Sequence, residues 1–239
     1  MIVYPAIDLR GGRCVRLFEG AFERETVYGE DPVAVARTFE AAGACWLHVV
    51  DLDGARAGRP VQAELVAAIC AAVRIPVQVG GGLRDAAAVD AVLAAGATRA
   101  VLGTVAVQDP DLAAATCRAH PGRVAIGLDA RDGRLRVAGW LQGSEMTPTA
   151  AAARAVDLGA AAVIYTDIGR DGTERGPDLE GTRAVARAAG VPVLASGGIG
   201  ALEHVRAVRA LGVAGLIIGR ALYTGAVRLA DALAVAEAA

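Results

Sequence analysis

The sequence predicts an α/β fold: a single-domain (β/α)8 TIM barrel covering residues 1–239, with a two-fold half-barrel internal repeat. Three observations carry this expectation. The stretch Pro76–Gly103, moved forward by 116 residues, lies on Pro192–Gly219 without a gap, and ten of its 28 positions are identical, including Gly81/Gly197, Gly82/Gly198 and Gly103/Gly219. The same shift pairs Gly43 with Gly159 and Asp51 with Asp167. A slightly different one places Ile7-Asp8-Leu9-Arg10 on Leu128-Asp129-Ala130-Arg131, so the chain reads as two halves, about 1–120 and 121–239. Second, strand and helix patterns alternate eight times, which implies a parallel sheet with right-handed crossovers. Third, valine, alanine and glycine dominate while aromatic residues reach only 4%, as suits a buried parallel sheet covered by alanine-rich helices. An open doubly wound sheet is the alternative, but it needs no two-fold repeat.

Taken in order, Ile2–Asp8 is a short apolar strand ending in a carboxylate, and Cys14–Phe18 an extra extended piece in the loop that follows. Pro32–Ala42 is a helix with Asp31 as N-cap and Gly43 at its end. Strands are expected at Trp46–Asp51, Val77–Val79 and Ala100–Leu102, and helices at Val61–Val73, 85–95 and Asp109–Ala119. The second half repeats the order. Its strands fall near Val124–Asp129, Ala162–Tyr165, Val191–Ala195 and Leu216–Ile218, its helices near Thr147–Leu158, Leu179–Ala189, Leu202–Leu211 and Ala226–Ala238. Pro121-Gly122 is a loop inside one domain, not a linker.

A formal net charge of −2 gives no electrostatic footprint for nucleic acid. The longest apolar runs are strand-length or broken by charge, so no membrane span is expected. No secretory signal is evident at residues 1–8. Cys14, Cys45, Cys70 and Cys117 are scattered without metal-ligand spacing, which suggests reduced thiols and a cytoplasmic location.

In a barrel, chemistry sits where strands end. Gly81-Gly82 and Gly197-Gly198 follow strands three and seven; Gly103-Thr104 and Gly219-Arg220 follow strands four and eight and open helical turns. Glycine lets backbone approach a ligand, and free N–H groups favour an anion. Two such cradles on opposite sides of one mouth suit an elongated ligand with a phosphate at each end, although each pair alone could be only a tight turn. Asp8 and Asp129 end strands one and five, across the ring from each other. Two carboxylates in different environments can serve as base and acid; either alone could be only a turn or cap residue. Thr166 could orient a carboxylate or be a satisfied core hydroxyl. From spacing alone, His48 reads as strand packing, and His120 and His204 as surface residues. No metal site emerges, because the carboxylates are not grouped with His or Cys.

Several stretches have a recognisable form: Pro5-Ala6-Ile7-Asp8-Leu9, Val15-Arg16-Leu17 with Gly20, His48-Val49-Val50-Asp51-Leu52-Asp53-Gly54-Ala55, Gly80-Gly81-Gly82-Leu83-Arg84 and Tyr165-Thr166-Asp167-Ile168-Gly169-Arg170-Asp171-Gly172-Thr173. Over essentially its whole length the chain resembles the phosphoribosylformimino-5-aminoimidazole carboxamide ribotide isomerases of histidine biosynthesis. The resemblance implies a cofactor-free Amadori rearrangement of the bisphosphate aminoaldose ProFAR to the aminoketose PRFAR. It implies Asp8 as general base, Asp129 as general acid and Thr166 as support for the second carboxylate. Arg16, His48, Trp140 and Asp171 are then substrate contacts, and Gly176 joins Gly81, Gly82, Gly103, Thr104, Gly197, Gly198, Gly219 and Arg220 as phosphate ligands. Gln62 departs from the asparagine expected there. The expected partner is the small bisphosphate, the chain acting as a monomer. Alternatives are a bifunctional isomerase that also takes phosphoribosylanthranilate and the cyclase subunit of imidazole glycerol phosphate synthase. A non-catalytic phosphate-binding barrel is a further one. The loop Gly11–Tyr28 suits a mobile lid.

Overall fold

The computed structural model describes residues 1–238. In chain order these form β1 (Ile2–Arg10), β2 (Arg13–Phe18), β3 (Ala21–Gly29), α1 (Pro32–Ala41), β4 (Leu47–Asp51), α2 (Leu52–Ala57), α3 (Ala63–Ala72), β5 (Val77–Gly80), α4 (Ala86–Ala94), β6 (Arg99–Leu102), α5 (Thr104–Gln108) and α6 (Pro110–Ala119). The second half continues with β7 (Val124–Arg131), β8 (Arg134–Val137), β9 (Gln142–Gly143), α7 (Pro148–Ala153), α8 (Ala155–Leu158), β10 (Ala162–Asp167), α9 (Leu179–Ala188), β11 (Val193–Ser196), α10 (Leu202–Arg209), β12 (Gly215–Ile218), α11 (Arg220–Thr224) and α12 (Leu229–Glu237). Parallel pairing runs β1–β4–β5–β6–β7–β10–β11–β12 and returns from β12 to β1, closing an eight-stranded ring. Among the described residues no helix is long and apolar enough to cross a membrane.

Side chains alternate across each strand. Val3, Ile7, Leu47, Val79, Leu102, Ile126, Val163 and Leu216 face outward and pack against the helices as the main core. Tyr4, Ala6, Ala125, Ala162, Ile164, Leu194 and Ile217 face inward and fill the barrel. The same alternation separates four aspartates near the strand ends: β4 and β10 end at Asp51 and Asp167, while β1 and β7 run two residues past Asp8 and Asp129. Asp8 and Asp129 point inward to the mouth, whereas Asp51 and Asp167 point away from it. Buried Asp51 accepts backbone N–H bonds from Gly54, Val61 and Gln62 at 2.7–2.8 Å, tying the loop after β4 into a compact unit.

The local stops follow from sequence. Asp31 accepts from the N–H groups of Val33 and Ala34 and starts α1. Gly43 and Gly159 take left-handed φ values of 97° and 78° after α1 and α8, matching positions in the two halves. Three expectations need correction. Gly11–Tyr28 is largely an antiparallel hairpin, β2–β3, rather than a loop with one extended piece. Thr147–Leu158 is broken at Arg154 into α7 and α8. A second small hairpin, β8 with β9, follows β7, where alternating Leu135 and Val137 bury their side chains.

Candidate active site

One cavity opens at the C-terminal end of the barrel. Its wall includes Asp8, Arg16, His48, Asp129, Trp140, Thr166 and Asp171, together with Gly81, Gly82, Gly103, Thr104, Gly197, Gly198, Gly219 and Arg220. Of the site residues expected from sequence, only Gly176 stands off this wall. Its N–H donates to the Gly198 carbonyl at 2.8 Å, so it braces the cradle from behind.

Asp8 and Asp129 sit in different surroundings. Asp8 receives a 2.6 Å bond from Arg16 Nη1, while Arg16 Nη2 donates to the Ala6 carbonyl at 2.7 Å. Burial pushes the Asp8 carboxyl above the usual carboxylate range, and the guanidinium pulls it part of the way back. Asp129 has no cation in contact among the described residues. Trp140 Nε1 donates to its Oδ2 at 2.7 Å and the Thr166 hydroxyl also hydrogen-bonds it, yet burial still raises its carboxyl. Asp171 is pushed up to about 7, by burial first and then by the nearby Asp8 and Asp129 carboxylates, against the pull of Arg16. The pocket therefore holds one carboxylate matched to a cation and one held by neutral donors. That division suits base and acid roles respectively.

The glycines have more than one reason to be glycine. At Gly81 and Gly82, φ is 103° and 76°, and an added Cβ would meet the backbone of Asp51 and Arg59. At Gly197 and Gly198, φ is 92° and 82°, and the Asp167 and Gly176 carbonyls occupy that space. Close loop packing thus demands these four. Gly103 differs: its φ is −101° and nothing lies within 4 Å of an added Cβ. Its partner Gly219 has its empty side filled by the Arg16 guanidinium, with Cζ at 2.5 Å from an added Cβ.

Two mouth elements interlock. Trp140 adopts φ 70°, a left-handed value uncommon for a bulky residue and costing on the order of 1–3 kcal/mol. Its indole lies against Gly20 at the β2–β3 tip, where any side chain would collide with it. Glu19 N–H donates to the Asp171 carbonyl at 2.9 Å, and Arg131 Nη2 to the Glu19 carbonyl at 2.9 Å. With the mouth so filled, the enclosed space is about 200 Å³, below the roughly 300–1,000 Å³ usual for small-ligand pockets.

His48 lines the cavity instead of serving only as packing. His204 is half-buried, accepting the Gly200 N–H at 3.1 Å, and His120 bonds Asp90 at 2.7 Å. Gln62 gives α3 no side-chain cap; its amide instead holds Asp53 at 2.6 Å, and Asp53 accepts the Gly11 N–H where the β2–β3 hairpin begins. Sequence reasoning missed Tyr223, whose hydroxyl donates to the Ala6 carbonyl at 2.8 Å while its ring lies beneath Arg16. No local signal marks it, because it follows the eighth strand on a five-residue helix. Gln78 and Arg99 were also missed, although an amide inside the apolar run of β5 is a readable anomaly.

The closed barrel, the paired inward aspartates and the two glycine cradles define a (β/α)8-barrel protein with a candidate ligand site at its C-terminal mouth. A family model described as "Histidine biosynthesis protein" matches residues 2–228, and the chain belongs to that family. A Synechococcus sp. protein named 1-(5-phosphoribosyl)-5-((5-phosphoribosylamino)methylideneamino) imidazole-4-carboxamide isomerase is 53% identical over 236 residues, covering 98% of this chain and 92% of its own. Proteins of the same name from Paracoccus denitrificans and Dinoroseobacter shibae are 53% and 51% identical, each aligning with 98% of this chain and covering 98% and 99% of their own.

Proposed function

We propose that this chain isomerises the compound in its relatives' name, converting an aminoaldose to an aminoketose in histidine biosynthesis. The observation that carries the reading is the placement of Asp8 and Asp129 on opposite sides of one cavity, between two repeat-related cradles. The relatives' name describes two phosphoribosyl groups, which agrees with two anion sites across one mouth.

In this mechanism Asp129, whose carboxyl burial pushes above the usual range, gives a proton to the ribose ring oxygen. The C1′–O bond breaks and the nitrogen lone pair forms a C1′=N iminium. Asp8, kept ionisable by Arg16, removes the proton from C2′, and the C–H electron pair forms the C1′=C2′ bond of an enaminol as the iminium is neutralised. Protonation at C1′ and loss of the hydroxyl proton complete the ketose. Atoms and electrons balance without an external oxidant or reductant. Thr166 and Trp140 steady Asp129; Arg16, His48 and Asp171 contact the sugar; and the cradles with Arg220 hold the phosphates. The reduced state expected of the four cysteines supports a cytoplasmic setting.

Purified protein incubated with the aminoaldose bisphosphate, without ammonia or a glutaminase partner, should form the ketose. Phosphoribosylanthranilate should not turn over in a parallel run. Turnover of both would make the enzyme bifunctional. Turnover of neither, with ring closure of the ketose when ammonia is supplied, would point to the cyclase.

A further inference from the structure

Beneath the catalytic aspartates the barrel interior carries a polar column. Gln78 on β5 is completely buried, and its Nε2 lies 2.9 Å from His48 Nδ1 on β4. Its Oε1 lies 2.6 Å from Arg99 Nη2 and 3.1 Å from Arg99 Nε on β6. Arg99 in turn reaches the Tyr4 hydroxyl at 3.2 Å and lies over the Trp46 ring at 4.6 Å, with no carboxylate in its contacts among the described residues. The repeat supplies the reference state: a shift of 116 places His48, Gln78 and Arg99 on Ile164, Leu194 and Gly215. Apolar side chains and glycine fill these positions in the other half, so packing alone does not call for a buried amide and a guanidinium.

Hydrogen-bond chemistry gives this column one reading. A guanidinium can only donate, so the Gln78 atom facing Arg99 must be the oxygen, and the amide nitrogen must then face His48. That nitrogen donates, so His48 Nδ1 must accept with its lone pair. In the neutral ring the proton therefore sits on Nε2, on a ring that lines the cavity. We propose that Gln78 and Arg99 are positioning residues that lock His48 as a neutral Nε2–H donor aimed at an oxygen of the bound sugar. The donor role rests on the isomerase reading above; the lock does not. Burial and the facing charges, Arg16 from β2 and Arg99 from β6, keep the imidazolium from forming, with His48 lowered to about 3.

The test is ¹⁵N NMR of histidine-labelled full-length protein, with the His48 resonances assigned by loss of the His120 and His204 signals in single variants. Wild-type His48 should be the Nε2–H tautomer across the pH range of activity. In Gln78→Glu the carboxylate can only accept, so the proton of the neutral His48 ring should move from Nε2 to Nδ1 and a new ionisation should enter the pH–rate profile. KM should rise roughly tenfold or more with the loss of one aimed donor. Arg99→Leu frees the amide to rotate and should give a mixture of tautomers. An Nδ1–H tautomer in the wild type overturns the proposal without any variant, and so does an unmoved Nε2–H signal in folded Gln78→Glu. The locked tautomer together with unchanged KM in His48→Ala would leave the lock standing and sink the donor role in catalysis. Absence of isomerase turnover in the wild type would sink the functional reading alone.

Discussion

The two halves of the barrel share a backbone and differ in what they put inside it. On the shared positions the first half places Tyr4, Trp46, His48, Gln78 and Arg99, and the second places Ala125, Ala162, Ile164, Leu194 and Gly215. Near the mouth the pairs are Asp8 with Asp129, Val50 with Thr166, and Gly103 with Gly219. Glycine conformations at the loops are preserved across the repeat, whereas the inward side chains have diverged. The backbone symmetry fits a ligand with two alike ends. The asymmetric interior lets the two middle carboxylates differ, which an acid–base pair requires.

The largest effect that would break this comparison is loss of either aspartate. Asp8→Asn and Asp129→Asn should each lower kcat by about 10²–10⁴-fold, as removal of a general acid or base does. Their residual pH profiles should differ. A base must be ionised, so Asp8 supplies the fall in rate toward low pH, and that limb should vanish in Asp8→Asn. An acid must be protonated, so Asp129 supplies the fall toward high pH, and that limb should vanish in Asp129→Asn. Loss of the same limb in both variants would mean that the two halves do not divide the chemistry.

A second contrast is the acid sensitivity that His48 brings and Ile164 does not. The His48 pKa falls from 6.5 to about 3 in the folded protein. Between those values the unfolded chain binds a proton that the folded state refuses. The stability involved is fully present above pH 6.5 and is lost as pH falls toward 3. Urea unfolding at pH 7 and pH 4 should show a smaller acid loss in His48→Gln, the difference approaching a few kcal/mol at about 1.4 kcal/mol per pH unit crossed. Equal losses in both proteins would remove His48 from the account.

The cradle glycines should separate next. In Gly219→Ala the new Cβ displaces the Arg16 guanidinium, which disturbs its bond to Asp8, so both KM and kcat should worsen and stability fall by about 1–3 kcal/mol. Gly103→Ala meets no atom of the described residues within 4 Å, and its stability should stay within about 0.5 kcal/mol of the wild type while affinity for inorganic phosphate weakens. Calorimetric titration with phosphate and thermal unfolding of both variants decide this. The smallest expected effect belongs to Thr166→Val, which copies Val50 from the first half. Without the hydroxyl the Asp129 carboxyl rises further, so the alkaline limb should move to higher pH and kcat should drop about two- to tenfold. Val50→Thr should change neither.

Strand order, helix caps and the inward aspartates were legible in the sequence because each rests on a local pattern or on the repeat itself. Asp31 shows as an N-cap before Pro32, and Gly81-Gly82 as a turn after an apolar strand. The hairpins of residues 13–29 and 134–143 were not legible. Buried β2 showed as an extended piece at Cys14–Phe18, but its partner β3 and the strands β8 and β9 carry mixed or exposed burial instead of an apolar run, so the pairing left no local pattern. The hold of Tyr223 on Arg16 spans more than 200 residues and leaves no local trace. Gln78 and Arg99 become meaningful only once adjacent strands bring them together.

The rings of Tyr4 and Trp46 have a consequence for how the chain could be cut. They occupy space that Ala125, Ala162 and Gly215 leave open; a Cβ on Gly215 would already crowd the Tyr4 ring at 2.7 Å. The seams β6–β7 and β12–β1 are equivalent, so two copies of either half could in principle close a ring by themselves. Two first halves would force two sets of bulky rings and two guanidiniums into one floor, and two second halves would leave that floor hollow. Expressed as separate polypeptides, the halves should therefore prefer each other to themselves, so that a repeat in sequence behaves as a lock and its key.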